Sequence, residues 1–329
     1  MMQNSLYPWQ ANLWQDWLAQ GRFLGQAYLL SGPDGIGISA FAMAMAQGVL
    51  CQSDGVDACQ NCAQCHQFGQ QTHPDFLRLA LLEDKKEISV DQVRALNEQV
   101  YRTSHQGGYK VVLIEQVEHL NRSAFNALLK TLEEPPTKTV MILTTHQWHQ
   151  LPATLISRCR QLRFAVPPLD AVMTWLHQQL PQADDRLLKK ALKLNWGLPI
   201  SAKDWIEAKA FDLEATWQTD IKSLQQQRTS ISQLVDKWKK WSAPEIVFDY
   251  FYLWTVNYIR AAVYGEKLPY DPNWLVFQKS VLQARQLWQQ NVNKDLLLES
   301  VCLEWLQCQQ ADYQPNPALQ TPMIRGDQI

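Results

Sequence analysis

A short apolar run, Gln26-Ala-Tyr-Leu-Leu30, leads straight into Ser31-Gly-Pro-Asp-Gly-Ile-Gly-Ile-Ser39, and the small-residue run Ala40 to Val49 follows. Strand, glycine loop and helix in that order is the context a phosphate loop needs, because glycines let backbone N–H groups close around an anion at a helix N-terminus. The core resumes at Asp75-Phe-Leu-Arg-Leu79. A helix is expected after Ser89, with Val90, Val93, Leu96 and Val100 on one face. Tyr109-Lys-Val-Val-Leu-Ile114 and Thr139 to Thr145 are continuous apolar runs of the kind that buried parallel strands show. Between them, Asn121 or Ser123 caps a helix that carries Phe125, Leu128, Leu129 and Leu132 at i, i+3, i+4 and i+7, and Pro135-Pro136 stop it. A short helix over Pro152 to Arg158 and a last strand at Gln161-Leu-Arg-Phe164 complete an α/β unit with a mainly parallel sheet.

Beyond the hinge-like Val166-Pro-Pro168 the pattern is helical throughout, with breaks at Pro181, Gly197-Leu-Pro199, Ala243-Pro244 and Gly265 to Pro272. The most apolar stretch, Ile246 to Ile259, carries Asp249 and Asn257 and is shorter than the roughly 20 apolar residues a bilayer needs, so it reads as a buried helix. The expected division is an α/β domain over 1–166 with a cysteine insertion at 51–65, a small helical domain over 167–208, and a larger helical domain over 209–329 with a loosely held tail from about 311. Ten of the 14 Trp lie after residue 165, which predicts an aromatic core there.

The loop keeps its shape and loses its charge. In Gly-x4-Gly-Lys-Ser/Thr the Lys bonds the β and γ phosphates and the hydroxyl holds Mg²⁺. Here Gly32, Gly35, Gly37 and Ser39 remain and Ile38 stands where Lys belongs. The strand ending at Ile114 is followed by Glu115-Gln116 where a hydrolysing enzyme has Asp-Glu. Glu115 can still bind a metal, but Gln116 cannot act as a base that activates water. Both a degenerate nucleotide site and an ordinary glycine-rich turn fit the loop taken alone.

Cys51, Cys59, Cys62 and Cys65 have the spacing C-x7-C-x2-C-x2-C. Four thiolates make a tetrahedral, closed Zn²⁺ site, which pins a loop and leaves no open position for catalysis. An iron–sulfur cluster is the competing occupant, but the ferredoxin run would continue to a Cys-Pro at 69–70, where the chain has Gly69 and Gln70. Free thiols and a surrogate role for His66 are the remaining readings. Residues 51–75 otherwise show no apolar period and are expected to add no core element. Cys302 and Cys308 lie in an apolar helical stretch and read as core.

Charge excludes other classes. The 30 basic and 32 acidic residues give a net charge of −2, split 13 against 14 before residue 165 and 17 against 18 after it, so neither half is a nucleic-acid arm. The start, Met-Met-Gln-Asn-Ser, shows no export signal, and a cytoplasmic protein without membrane contact is expected.

Tyr7-Pro-Trp9, the glycine loop, the cysteine insertion, Thr72-His-Pro-Asp75, Asn126-Ala-Leu-Leu-Lys-Thr-Leu-Glu-Glu-Pro-Pro136 and Ser157-Arg-Cys159 together carry a resemblance over essentially the whole chain. The chain resembles the AAA+ clamp-loader subunits of bacterial DNA polymerase III, and among them the delta-prime family. The resemblance implies an AAA+ P-loop domain with a parallel sheet, a small helical lid and a C-terminal helical collar. It implies a rigid, non-hydrolysing member of a hetero-pentameric ring with the gamma/tau motor subunits and delta, which loads a sliding clamp on primed DNA. The chain then belongs to a DNA-directed DNA polymerase holoenzyme by membership, holds structural zinc, and binds ATP weakly or not at all. Thr144 or Thr145 falls where a first sensor would be, and no Arg stands near Gly197-Leu-Pro-Ile200 for a second. The resemblance gives Arg158 the role of an arginine finger acting in trans on the γ-phosphate of a neighbouring motor subunit. Without it, Arg158 reads as one of several surface arginines, since Arg160 and Arg163 follow.

Two other functions stay open from the residues. One is an active P-loop ATPase that recruits Lys110 or Lys130 in place of the missing Lys. The other is a zinc-stapled nucleic-acid-binding module.

Overall fold

The computed structural model describes residues 6–19, 27–53, 57–82, 85–105, 107–264, 271–288 and 292–308. Gln26, most of the break at 265–272 and the tail from 311 lie outside these residues. The chain divides into two compact units, Met1–Asp204 and Trp205–Ile329.

The first unit is built on five parallel strands, β1 (Ala27–Ser31), β2 (Phe76–Leu79), β3 (Lys110–Ile114), β4 (Thr139–Thr145) and β5 (Arg160–Arg163), in the order β2-β3-β4-β1-β5. Parallel neighbours need crossovers, and these are α2 (Ile38–Leu50), α4 (Val90–Tyr101), α5 (Arg122–Glu133) and α6 (Ala153–Ile156); α1 (Ala11–Leu18) precedes β1. Because strand side chains alternate, the apolar runs feed two cores. Tyr28, Leu30, Val111, Leu113, Val140 and Ile142 meet α2 on one face, whereas Leu29, Val112, Ile114, Met141 and Leu143 meet α4 and α5 on the other.

The helix ends follow local chemistry. Ser89 and Gln92 form a capping box at α4, and Asn121 caps α5, its Oδ1 accepting from the Ala124 N–H at 2.9 Å; Ser123 sits inside the helix. One expectation is corrected. Residues 51–75 do add a core element, α3 (Ala63–Gly69), which Cys62 caps and whose Phe68 packs on Phe76 with ring centroids 4.7 Å apart. Its single turn-and-a-half of buried face is too short to produce a readable period. The unit continues into α7 (Leu169–Gln179), α8 (Asp185–Leu194) and the start of α9 (Pro199–Glu207).

The second unit holds α10 (Ala210–Gln225), α11 (Ile231–Trp238), α12 (Ile246–Tyr264), α13 (Asn273–Trp288) and α14 (Lys294–Gln307). Trp217, Trp238, Phe251, Phe277 and Trp305 fill its centre, with Cys302 and Cys308 buried beside them. The aromatic core is as expected. Buried Asp220 is satisfied by Lys237 Nζ at 2.6 Å and Trp238 Nε1 at 2.9 Å, as a buried carboxylate requires. No helix of the described residues is long and apolar enough to cross a membrane.

Candidate functional site

The glycine loop leaves the C-terminal end of β1 and enters α2. Gly35 and Gly37 have φ of 82° and 87°, a region that side chains avoid. The space around both is taken by the same chain: a Cβ on Gly37 would lie 2.3 Å from the Tyr7 ring, and one on Gly35 2.2 Å from Ser201 Oγ. Hydrogen bonds complete the fastening. Gln10 Nε2 donates to the carbonyls of Ile36 and Gly37 at 3.1 and 2.9 Å, Trp9 Nε1 donates to Ile36 at 3.0 Å, and the Ile200 N–H donates to Gly35 at 3.1 Å. Gly32 donates to the Thr145 carbonyl at 3.3 Å. The Gly35 N–H is itself turned to a carboxylate, Asp34 Oδ1 at 2.8 Å. Tyr7 and Trp9 stack at 4.9 Å, and Trp175 of α7 meets both edge-on.

Beside the loop lies a cleft of about 760 Å³, onto which Ser39, Arg78, Glu115, Trp175, Ile200 and Lys203 open. Ile38 is only 2% exposed and joins the core under α2, so it brings no polar atom to the cleft. Glu115 is paired with Arg78 of the neighbouring strand, Oε2 to Nη2 at 3.0 Å. Gln116 adopts φ 51°, ψ 60°, and its N–H donates to Thr144 Oγ1 at 3.0 Å, so Thr144 ties the end of β3 to β4. Buried Thr145 accepts from the Gln147 N–H at 3.1 Å.

The replacement lysines are not at this cleft, which corrects the expectation attached to them. Lys110 starts β3, at the N-terminal edge of a parallel sheet, about 13 Å of strand away from the edge that bears the loop. Its ammonium donates to the carbonyls of Gln99, Val100 and Arg102, at 2.8, 3.0 and 2.5 Å, and so closes the C-terminal end of α4. Lys130 lies in the last turn of α5, which leads back to that same far edge.

Arg158 also belongs to that far edge, because it lies two residues before β5, whose Arg160 is in register with Tyr28 near the start of β1. It is exposed, and the length of β1 separates it from the glycine loop of its own chain. An arginine there cannot reach an anion in its own loop.

The four cysteines converge. Their Sγ atoms all lie within 4.8 Å of one another, and Cys51 and Cys62 are 3.9 Å apart. A tetrahedral ion with 2.3 Å bonds to sulfur spaces its ligands by about 3.8 Å, so the donor set fits one Zn²⁺-sized ion. Burial raises the Cys51 thiol, but N–H groups of Cys59 and Ser53 and the Ser53 hydroxyl outweigh it and bring the thiol down to about 6. Burial opposes and the N–H groups of Gln52 and Cys65 favour ionisation of Cys62, which is also lowered. Burial and the adjoining Cys62 sulfur push Cys65 up, so a cation is what would let that thiol ionise. Cys51 follows α2 and Cys62 caps α3, so the cluster joins two helix ends. His66 is exposed and outside the group.

Sequence reasoning missed Arg78, Gln10 and the role of Tyr7 and Trp9. Tyr7-Pro-Trp9 was a visible signal without a visible partner, since its contacts with the glycine loop fall 27 residues away or more.

The family described as "DNA polymerase III, delta subunit" matches residues 8–168. The DNA polymerase III subunit delta' of Pseudomonas aeruginosa is 35% identical over 321 residues, which cover 91% of this chain and 97% of that one. That of Escherichia coli K12 is 39% identical over 177 residues, 54% of this chain and 53% of that one. The tau subunit of Bacillus subtilis is 38% identical over 151 residues, 46% of this chain and 26% of that one. Among solved structures, a DNA polymerase III gamma subunit-related protein from Thermotoga maritima is similar with a TM-score of 0.44 and 18% identity, covering 89% and 97% of the two chains. Likeness over nearly the full length of the Pseudomonas protein settles the assignment: the chain belongs to the family of DNA polymerase III delta-prime subunits.

Proposed function

We propose that this clamp-loader subunit of the replication machinery hydrolyses no ATP itself and supplies Arg158 to the nucleotide site of a neighbouring gamma/tau motor subunit. The observation that carries this reading is the split between the two edges of the sheet. At one edge, the phosphate loop is fastened by Gln10, Trp9 and Ile200, lacks a cation at Ile38, and adjoins a Glu115 already paired with Arg78. Catalysis by metal-assisted phosphoryl transfer needs a free acid for Mg²⁺ and, in a site of the Asp-Glu type, a base that activates water; Glu115 is held by Arg78 and the Gln116 amide is no base. At the other edge, Arg158 is exposed and out of reach of its own glycine loop, so a nucleotide it serves is one that a second subunit holds. There it would stabilise charge that develops on the γ-phosphoryl group.

In this reading the lid spans 167–208 and the collar 209–329. The collar joins the ring with delta and the motor subunits, and the assembled complex meets the sliding clamp and primed DNA in the cytoplasm. Cys51, Cys59, Cys62 and Cys65 hold one structural zinc. Four thiolates around a single ion fit the sulfur spacing, whereas a cluster shares its four thiolates among more than one iron and spreads them further. Zinc supplies cohesion between α2 and α3 and no open coordination position.

The isolated chain with Mg-ATP tests the first half: no turnover above background is expected, and turnover with a saturable ATP dependence would refute it.

A further inference from the structure

The guanidinium of Arg158 is anchored within its own chain at two points. Nη1 donates to the Thr154 carbonyl of α6 at 2.7 Å, and Nη2 donates to Oε1 of Glu133. Glu133 is the last residue of α5, and Pro135-Pro136 end the helix just beyond it, so its backbone is fixed on both sides. Anchors on two different helices set both the direction and the roll of the planar fork. A guanidinium has five N–H bonds, so three remain for an incoming anion. The two side chains are 32% and 48% exposed, and an ion pair that exposed adds little to the stability of a fold. The pair therefore acts on the orientation of Arg158 and hardly on the stability of the fold.

We propose that Glu133 is a positioning residue for Arg158, holding the guanidinium oriented before the neighbouring subunit's nucleotide arrives. The proposal rests on the reading of Arg158 as an arginine finger. An arginine gives up large rotamer freedom when it docks, and whatever immobilises it beforehand removes that loss from the docking step. The carboxylate also decides which edge of the fork can be used. A phosphate approaching beside Glu133 is repelled, so it meets the remaining N–H bonds on the opposite side, in a defined orientation. Since the neighbour's own loop binds the nucleotide, the effect falls on turnover and not on nucleotide binding.

The test uses the full complex reconstituted with motor subunits, delta, sliding clamp and primed DNA. Clamp-dependent ATP hydrolysis is measured for Arg158→Ala, Glu133→Ala, Glu133→Gln and the double variant Glu133→Ala with Arg158→Ala. Melting of each isolated chain at the wild-type temperature verifies folding. Glu133→Ala is expected to lower kcat by up to about 10²-fold, the scale of a group misplaced by about 1 Å, with KM for ATP unchanged. Glu133→Gln keeps an acceptor oxygen and should restore most of the rate. The double variant should match Arg158→Ala alone. Wild-type kcat in Glu133→Ala, with Arg158→Ala impaired, would overturn the positioning role and leave the finger intact. So would a double variant slower than Arg158→Ala by the full Glu133→Ala factor, because that is an effect independent of Arg158. Unchanged kcat in Arg158→Ala would overturn the finger reading itself, and the proposal with it.

Discussion

Arg78 on β2 holds Glu115 at the end of β3, Nη2 to Oε2 at 3.0 Å, so the acid best placed to bind a metal beside the phosphate loop already has a cation. The pair is a brace between two neighbouring strands.

Releasing that brace should not create an enzyme. Arg78→Gln frees Glu115 but leaves Ile38 and Gln116 in place, so ATP turnover by the isolated chain stays at background. The pair is half exposed on the Arg78 side, and its loss should cost about 1 kcal/mol or less in urea unfolding. Turnover appearing in this variant alone would mean that Arg78 was the sole block.

The fastened loop makes a sharper stability prediction. Gly37→Ala adds a Cβ 2.3 Å from the Tyr7 ring at a φ of 87°, and both faults act together. Unfolding by urea should register a loss of about 1–3 kcal/mol. A variant as stable as wild type would mean that Tyr7 and Gln10 do not clamp the loop.

Metal content tests the cysteine cluster. One zinc per chain is expected in protein purified under reducing conditions, and Cys62→Ser should lose it together with several kcal/mol of stability (~2 or more). Full-length protein that is metal-free and melts at the same temperature as Cys62→Ser would reject the site.

Much of this was legible in the sequence, and the reason is local. β3 and β4 are buried on both faces, which leaves unbroken apolar runs, and Asn121 and Pro135 bracket α5 with side-chain chemistry that acts within four residues. The cysteine spacing was legible for the same reason, since Cys62 and Cys65 sit on one helical turn. What the sequence hid depends on tertiary approach. Arg78 meets Glu115 across a strand pair 37 residues apart, and Gln10 reaches Gly37 across 27. Lys110 misled because a lysine near an apolar strand says nothing about which edge of the sheet it occupies.

Acid should weaken the α/β unit through His73. Burial holds its imidazole below the ordinary value of 6.5, against the opposing pull of Asp75, and Nδ1 accepts the Asp75 N–H at 3.1 Å. With the folded value depressed, the unfolded chain takes up the proton first, so this stability is present above 6.5 and is lost as pH falls below it. Melting temperatures from pH 7.5 down to about 5 should fall more steeply for wild type than for His73→Gln. Parallel slopes would remove His73 from the account.

The central claim is that one edge of this sheet serves a neighbour's chemistry while the other has abandoned its own. Single-turnover ATP hydrolysis by the complex, reconstituted with Arg158→Ala in this chain and loaded with sliding clamp and primed DNA, tests it most directly. The site that faces Arg158 should slow by about 10³-fold or more, the scale of an arginine finger, and appear as a missing fast phase while ATP binding is retained. A burst of wild-type rate and amplitude would contradict the claim.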